Sequence, residues 1–179
     1  YHLRGDWDEN LLPHLIEGTV SAGRFIEVAH QYHTSVVILA TSIYIAAVID
    51  EMSLRDQKKA VVVSVPVNLR KYFPSDTTRN FFGVINVSFD PTHFDGQLES
   101  ILSEVKASFQ KQLSQDRILQ TMNSYAALEH NIAIQMVPLF LKDLAIWGLN
   151  NRAKNGVTST MSNLGNIEMP EETVPHIDR

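Results

Sequence analysis

The chain of 179 residues has 7 histidines and no cysteine. Thiolate nucleophiles, disulfides and Cys-based zinc sites are therefore excluded from the start. His30 and His33 stand three apart near the expected end of a helix. That spacing can bring two imidazoles to one metal, but no third ligand follows closely, and helix-end cations favoured by the dipole are the better reading. His93 and Asp95 share one loop at a spacing unsuited to a catalytic pair, so Asp95 is read as a helix cap. Ser162 and Asn163 precede Gly165, where a backbone can approach a ligand closely. A hydroxyl and an amide there can donate to an oxygen that gains negative charge in a transition state, or Asn163 and Gly165 simply shape a turn. Asn86 and Ser88 share one face of an alternating segment, a face that either lines a ligand tunnel or meets water. Arg70 ends a strand beside a polar loop and either meets an acidic partner or is an ordinary solvated side chain. No Gly-x-x-x-x-Gly-Lys loop, Gly-x-Gly-x-x-Gly turn, Gly-x-Ser-x-Gly elbow or His-Glu-x-x-His helix occurs, which removes the commonest nucleotide, hydrolase and zincin classes.

The elements that must position these residues follow from periodicity. Residues 1 to 20 are polar and irregular, a connector delivering the chain to Ser21, the expected N-cap of a helix carrying Phe25, Val28, Ala29 and Tyr32 and ending near His33. Thr34 or Ser35 caps a second helix, Val36 to Ile49, apolar on nearly every face and so predicted to be buried. Ala60 to Val67 is a β-branched run expected to form a strand covered on both faces, with Pro66 marking its end or an unpaired position. Phe81 to Phe89 alternates, with Phe81, Gly83, Ile85, Val87 and Phe89 on one face. A third helix starts near Asp95 with the stripe Leu98, Ile101, Leu102, Val105 and Phe109. Further helices are expected around Ile118 to Ala126 and over Leu139 to Leu149, the latter with Pro138 as its first residue. Val157 to Leu164 reads as a strand, Gly165 and Asn166 as a turn, and Ile167 to Met169 as a short further strand. The resulting fold class is α/β, a small mixed sheet flanked by helices. So few strands, a ragged start and an abrupt end at His176 to Arg179 suggest a lobe cut from a larger protein.

Composition agrees with one folded domain: 44% of residues are hydrophobic and 20% charged, which excludes disorder and collagen. At this length roughly 70% of the unfolded surface can be buried without disulfide or metal. Fifteen Lys and Arg against 20 Asp and Glu give a net charge of −5, with no dense basic cluster. Nucleic acid is therefore not an expected partner. The apolar run from Val36 to Ile49 is too short for a membrane span, and the N-terminal residues carry no signal pattern. Absence of thiols fits a cytoplasmic location.

Three segments taken together resemble one family. Ser64-Val65-Pro66-Val67-Asn68-Leu69-Arg70, followed by Asn80-Phe81-Phe82-Gly83-Val84-Ile85-Asn86, is similar to the strand pair "PVNLR … N-x-x-G-x-x-N" of CoA-dependent acyltransferases of the chloramphenicol acetyltransferase and condensation-domain fold. The helix entry Thr34-Ser35-Val36-Val37-Ile38-Leu39-Ala40 resembles the "N-D-V-V-L-A" segment of their wax-ester-synthase-like members, with Thr-Ser replacing Asn-Asp. Ser162-Asn163-Leu164-Gly165-Asn166-Ile167 resembles their late "S-N-L-G-x-I" strand and turn. The segments keep the family's order from residue 20 to the end.

The resemblance implies a two-lobed enzyme with a tunnel between the lobes. This chain corresponds to its C-terminal lobe, residues 21–179, reached through the connector 1–20, and the missing N-terminal lobe is its partner. The family's His-His-x-x-x-Asp-Gly, whose second His is the general base, belongs to the preceding lobe and does not occur here, so no catalytic residue is assigned to this chain. The activity implied is transfer of an acyl group, acetyl in the nearest alcohol acetyltransferase-like members, from acyl-CoA to a small alcohol. Acyl-CoA is then a cosubstrate, with no tightly bound cofactor or metal. On this view Ser162, Asn163 and Gly165 supply oxyanion donors or tunnel lining, Asn86 and Ser88 line the tunnel, and Arg70 contacts a CoA phosphate. Two alternatives stand beside it: a condensation domain working on carrier-bound thioesters, and a non-catalytic binding protein that kept the fold.

Overall fold

The computed structural model describes residues 1–3, 5, 14–76, 80–154 and 156–165. Along them run helix α1 (Ala22–Gln31), helix α2 (Val36–Asp50), strand β1 (Val61–Asn68), strand β2 (Phe82–Phe89), helices α3 (Leu98–Gln112), α4 (Gln115–Glu129), α5 (Ile132–Met136) and α6 (Leu139–Lys154), and strand β3 (Ser159–Thr160). The sheet order is β2-β1-β3, with β1 antiparallel to β2 and parallel to β3. This is the mixed α/β arrangement expected from the pattern of elements. Residues 1–3 and 14–20 form no helix or strand, and the strand expected at Ile167 to Met169 lies outside the described residues.

One face of the sheet carries the core. Val61, Val63, Val65, Ile85, Val87 and Phe89 are buried against Ile45, Val48 and Ile49 of α2 and Ile101, Val105 and Phe109 of α3. The α3 stripe is the one read from its helical spacing, although the helix begins at Leu98 rather than near Asp95. Asp95 instead turns the chain into it: its Oδ1 accepts from the Gln97 N–H at 3.0 Å. That bond holds the Asp95 carboxyl below its ordinary value, helped by the Ser100 hydroxyl.

Helix α2 is packed on several sides, as its all-round apolar surface requires. Its buried hydroxyls are satisfied internally, Thr41 donating to the Val37 carbonyl at 2.7 Å and Ser42 to that of Ile38 at 2.9 Å. Ser35, not Thr34, is the cap, accepting from the Ile38 N–H. The preceding helix starts at Ser21 as expected and closes at Gln31, because His33 adopts a positive φ of 49° and the Thr34 N–H returns to the Ala29 carbonyl. Among the described residues no single helix is long and apolar enough to cross a membrane.

Two strand expectations require correction. Strand β1 is buried on its helical face and only partly covered on the other, where Ser64 is buried. Its unbroken apolar run reflects its central place between β2 and β3, and on the far face Val62 and Pro66 remain half-exposed. The segment Val157 to Leu164 yields only Ser159–Thr160 as strand. The Met161 N–H still donates to the Ser64 carbonyl at 2.9 Å. The next rung of a parallel ladder requires an N–H from Pro66, which has none, and pairing ends there. Pro66 therefore does not end its own strand: opposite β2 it stays in register with Val84, and β1 continues to Asn68.

Candidate functional site

The side of the sheet turned away from the helices presents an unplanned polar row. The register places Asn86 of β2 and Thr160 of β3 on either side of Ser64. Ser64 is 8% exposed, and its Oγ donates to Asn86 Oδ1 at 2.6 Å. Asn86 itself is exposed, and so is Thr160. Phe82 and Val84 continue the same face of β2 at 53% and 54% exposure, so a hydrogen-bonded polar track runs beside bare apolar side chains.

Asn86 is held from a second direction. Its backbone N–H and C=O point away from β1, toward the open edge of the sheet. The Gln112 side chain meets both, Oε1 accepting from the N–H at 3.2 Å and Nε2 donating to the carbonyl at 2.7 Å. An amide at the end of α3 thus imitates one rung of a neighbouring strand and fixes the place of Asn86.

The other sequence-predicted residues divide between the two ends of the sheet. Because β1 and β3 are parallel, Arg70 and the segment from Ser162 to Gly165 leave it at the same end. Arg70 lies in a helical turn (Leu69–Lys71) whose entry is capped by Asn68, its N–H donating to Asn68 Oδ1 at 3.0 Å. Ser162 and Asn163 are exposed. The Asn163 Oδ1 accepts from the Gly165 N–H at 2.8 Å, and Gly165 takes a φ of 73°, a conformation suited to glycine. Turn shaping thus occupies the Asn163 carbonyl oxygen. Ser88 stands opposite Val62, toward the other end of the sheet, and is exposed.

The structure therefore brings Asn86 together with Ser64 and Thr160, and Arg70 to the strand end that Ser162 and Asn163 also leave, while Ser88 stands apart. Sequence reading missed Ser64 and Thr160 as site residues. Their signal is the strand register, which a single sequence does not carry.

The histidines take no part in this arrangement. His33 gives its carbonyl to Lys106 Nζ at 2.9 Å, and His93 Nδ1 lies 3.1 Å from Glu104 Oε1 on the surface. No group of three or more His, Asp or Glu among the described residues is arranged to hold a metal ion.

At the Arg70 end, on the helical side, a cleft of about 420 Å³ opens between the β1–β2 pair and α4. Val67, Phe81 and Ile85 form one wall, Ile118 and Met122 the other, and Gln112 and Arg117 stand among its polar groups. Comparison with protein-family models, curated proteins and solved structures returned no match.

Proposed function

We propose that this chain is the C-terminal lobe of a CoA-dependent acyltransferase of the chloramphenicol acetyltransferase-like fold, acting on a small alcohol. The observation that carries the reading is convergence. The Ser64 to Arg70 and Asn80 to Asn86 segments meet as neighbouring strands β1 and β2, with Ser64 opposite Asn86, and the Ser162 segment follows directly on β3, the strand on the other side of β1. The resembling helix entry opens α2, which packs beneath the β1–β2 pair. Arg70 and Ser162 to Gly165 leave the sheet at the carboxyl ends of parallel strands, where open α/β sheets commonly bind ligands.

In the proposed reaction a base from the second lobe takes the alcohol proton. The alcohol oxygen bonds to the thioester carbon, the C–S bond breaks, and the CoA thiolate leaves and is protonated. Negative charge on the carbonyl oxygen is greatest midway, when donors already in place stabilise it most. Ser162, through its hydroxyl, and Asn163, through its amide N–H group, are the donors this lobe offers. Arg70 is the cation this reading assigns to a CoA phosphate, and the half-apolar outer face with Phe82, Val84 and Asn86 forms one tunnel wall.

The test is alcohol-dependent thiol release from acetyl-CoA. Protein that includes an upstream lobe with His-His-x-x-x-Asp-Gly is expected to release thiol, and residues 1–179 alone are not. Comparable release by the 179-residue chain alone sinks the two-lobe account. Absence of release by the longer protein across a panel of alcohols sinks the transferase reading.

A further inference from the structure

We propose that the cleft between the β1–β2 pair and α4 binds the anion of a medium-chain carboxylic acid, with the chain in the cleft and the carboxylate on Arg117. The cleft is about 420 Å³, within the range of small-molecule sites. Its depth comes from the end of the sheet. Gly83 brings no side chain there, and Leu69 folds into contact range of it, where an added Cβ would come within 3.4 Å of Leu69 Cδ2. The walls are apolar apart from amide and hydroxyl groups, and Arg117 is the one ionisable residue among the described residues that line it.

The guanidinium is suitably presented. Arg117 is exposed on the first turn of α4, and Nη1 donates to Gln120 Oε1 at 2.9 Å. That bond steadies the side chain and leaves further donors of the planar fork for a carboxylate. The neighbouring acid, Asp116, lines a different depression, with Leu119, Asn123 and Gln120. An apolar trough with a single cation at its polar rim matches a ligand with one apolar tail and one negative head. The proposal requires no transfer chemistry and stands whether or not the chain belongs to a transferase.

Calorimetric titration of the 179-residue chain with decanoate tests it, with 1-decanol as the uncharged comparison. Saturable one-to-one binding is expected, tightening by up to about fourfold per methylene from hexanoate through octanoate to decanoate. Arg117→Gln is expected to weaken decanoate by about fivefold and to leave decanol within twofold. Thr121→Trp and Ala126→Trp, each placing a large ring in the cleft from an exposed position on α4, are expected to abolish binding of both ligands while circular dichroism melting stays unchanged. Non-saturable uptake, decanoate binding that survives both tryptophan variants, or equal loss of decanoate and decanol in Arg117→Gln would overturn the assignment.

Discussion

Ser64 illustrates how unequally two members of one hydrogen bond are exposed to mutation. Its hydroxyl is nearly buried, whereas its acceptor Asn86 is open to water. Ser64→Ala removes the donor and leaves Asn86 free to bind solvent, for a cost of about 1 kcal/mol; Asn86→Val strands the buried hydroxyl and costs about 2 kcal/mol. Urea unfolding of both variants checks this order, and the reverse order contradicts the placement of Ser64. Acid sensitivity is also local. Asp95, bonded first to the Gln97 N–H, and Asp90, bonded to the N–H and hydroxyl of Thr92, both titrate below the ordinary aspartate value. A carboxyl lowered by folding adds stability that is fully present above its unfolded value near pH ~3.9 and is lost as pH falls through the lowered folded value. Asp95→Ala is therefore expected to lower the urea midpoint at pH 7 and to match the parent chain below both values, a convergence that titrating the midpoint from pH 7 to pH 2 measures. At this scale the sequence conveyed residue chemistry but not neighbours. Asn86 was legible as a polar residue on an alternating face, while its links to Ser64 and Gln112 depend on which strand lies beside it and where α3 ends.

Helices and the hairpin pair were the legible elements, because each carries its own period. The run from Val36 to Ile49 is apolar on nearly every face and is packed on several sides, with Ile43 and Ala47 left exposed, and the α3 stripe from Leu98 to Phe109 meets the sheet. Strand β3 was not legible in its length, since that is set by a residue on another strand: the missing N–H of Pro66 stops the ladder that Val157 to Leu164 begins. Short α5 escaped notice for a related reason. Its five residues carry too few turns to show a period, and Asn131 starts it by accepting from the Ile134 N–H. The open edge of β2 is closed by a side chain rather than a strand, which gives a graded prediction. Gln112→Ala removes both bonds to Asn86 and is expected to cost about 1–2 kcal/mol. Gln112→Glu keeps an acceptor for the N–H but turns a second oxygen toward the carbonyl, so it does no better than alanine at neutral pH. Urea midpoints with light scattering check both, since an uncovered edge also promotes association between chains.

Across the whole molecule, apolar surface is unevenly covered. The helices α2 and α3 are sunk into the core, yet α5 and α6 expose Ile132, Met136, Leu139, Phe140, Leu144 and Trp147, the last at 66%. Phe82 and Val84 on the outer face of the sheet add to these uncovered apolar side chains. On the proposed two-lobe reading, a second lobe would cover part of this surface. Thr158 is the joint that ties the end of the described chain back to its start. Its N–H donates to the Val62 carbonyl, its Oγ1 accepts from the Val62 N–H across 96 residues of sequence, and the same hydroxyl donates to the Tyr1 carbonyl. Closing so long a loop is entropically expensive, and only a two-residue strand repays it. In kinetic terms, β1, β2, α2 and α3 are expected to form the early, cooperative unit, and β3 to be the last piece to dock and the first to release. Native-state hydrogen exchange is expected to show Thr158 and Met161 opening well before Val63, Val65 and Val87, and Pro66→Val, by restoring the absent rung, to slow that opening. On this expectation, one imino acid on the central strand sets the lifetime of a contact that joins the two ends of the described chain.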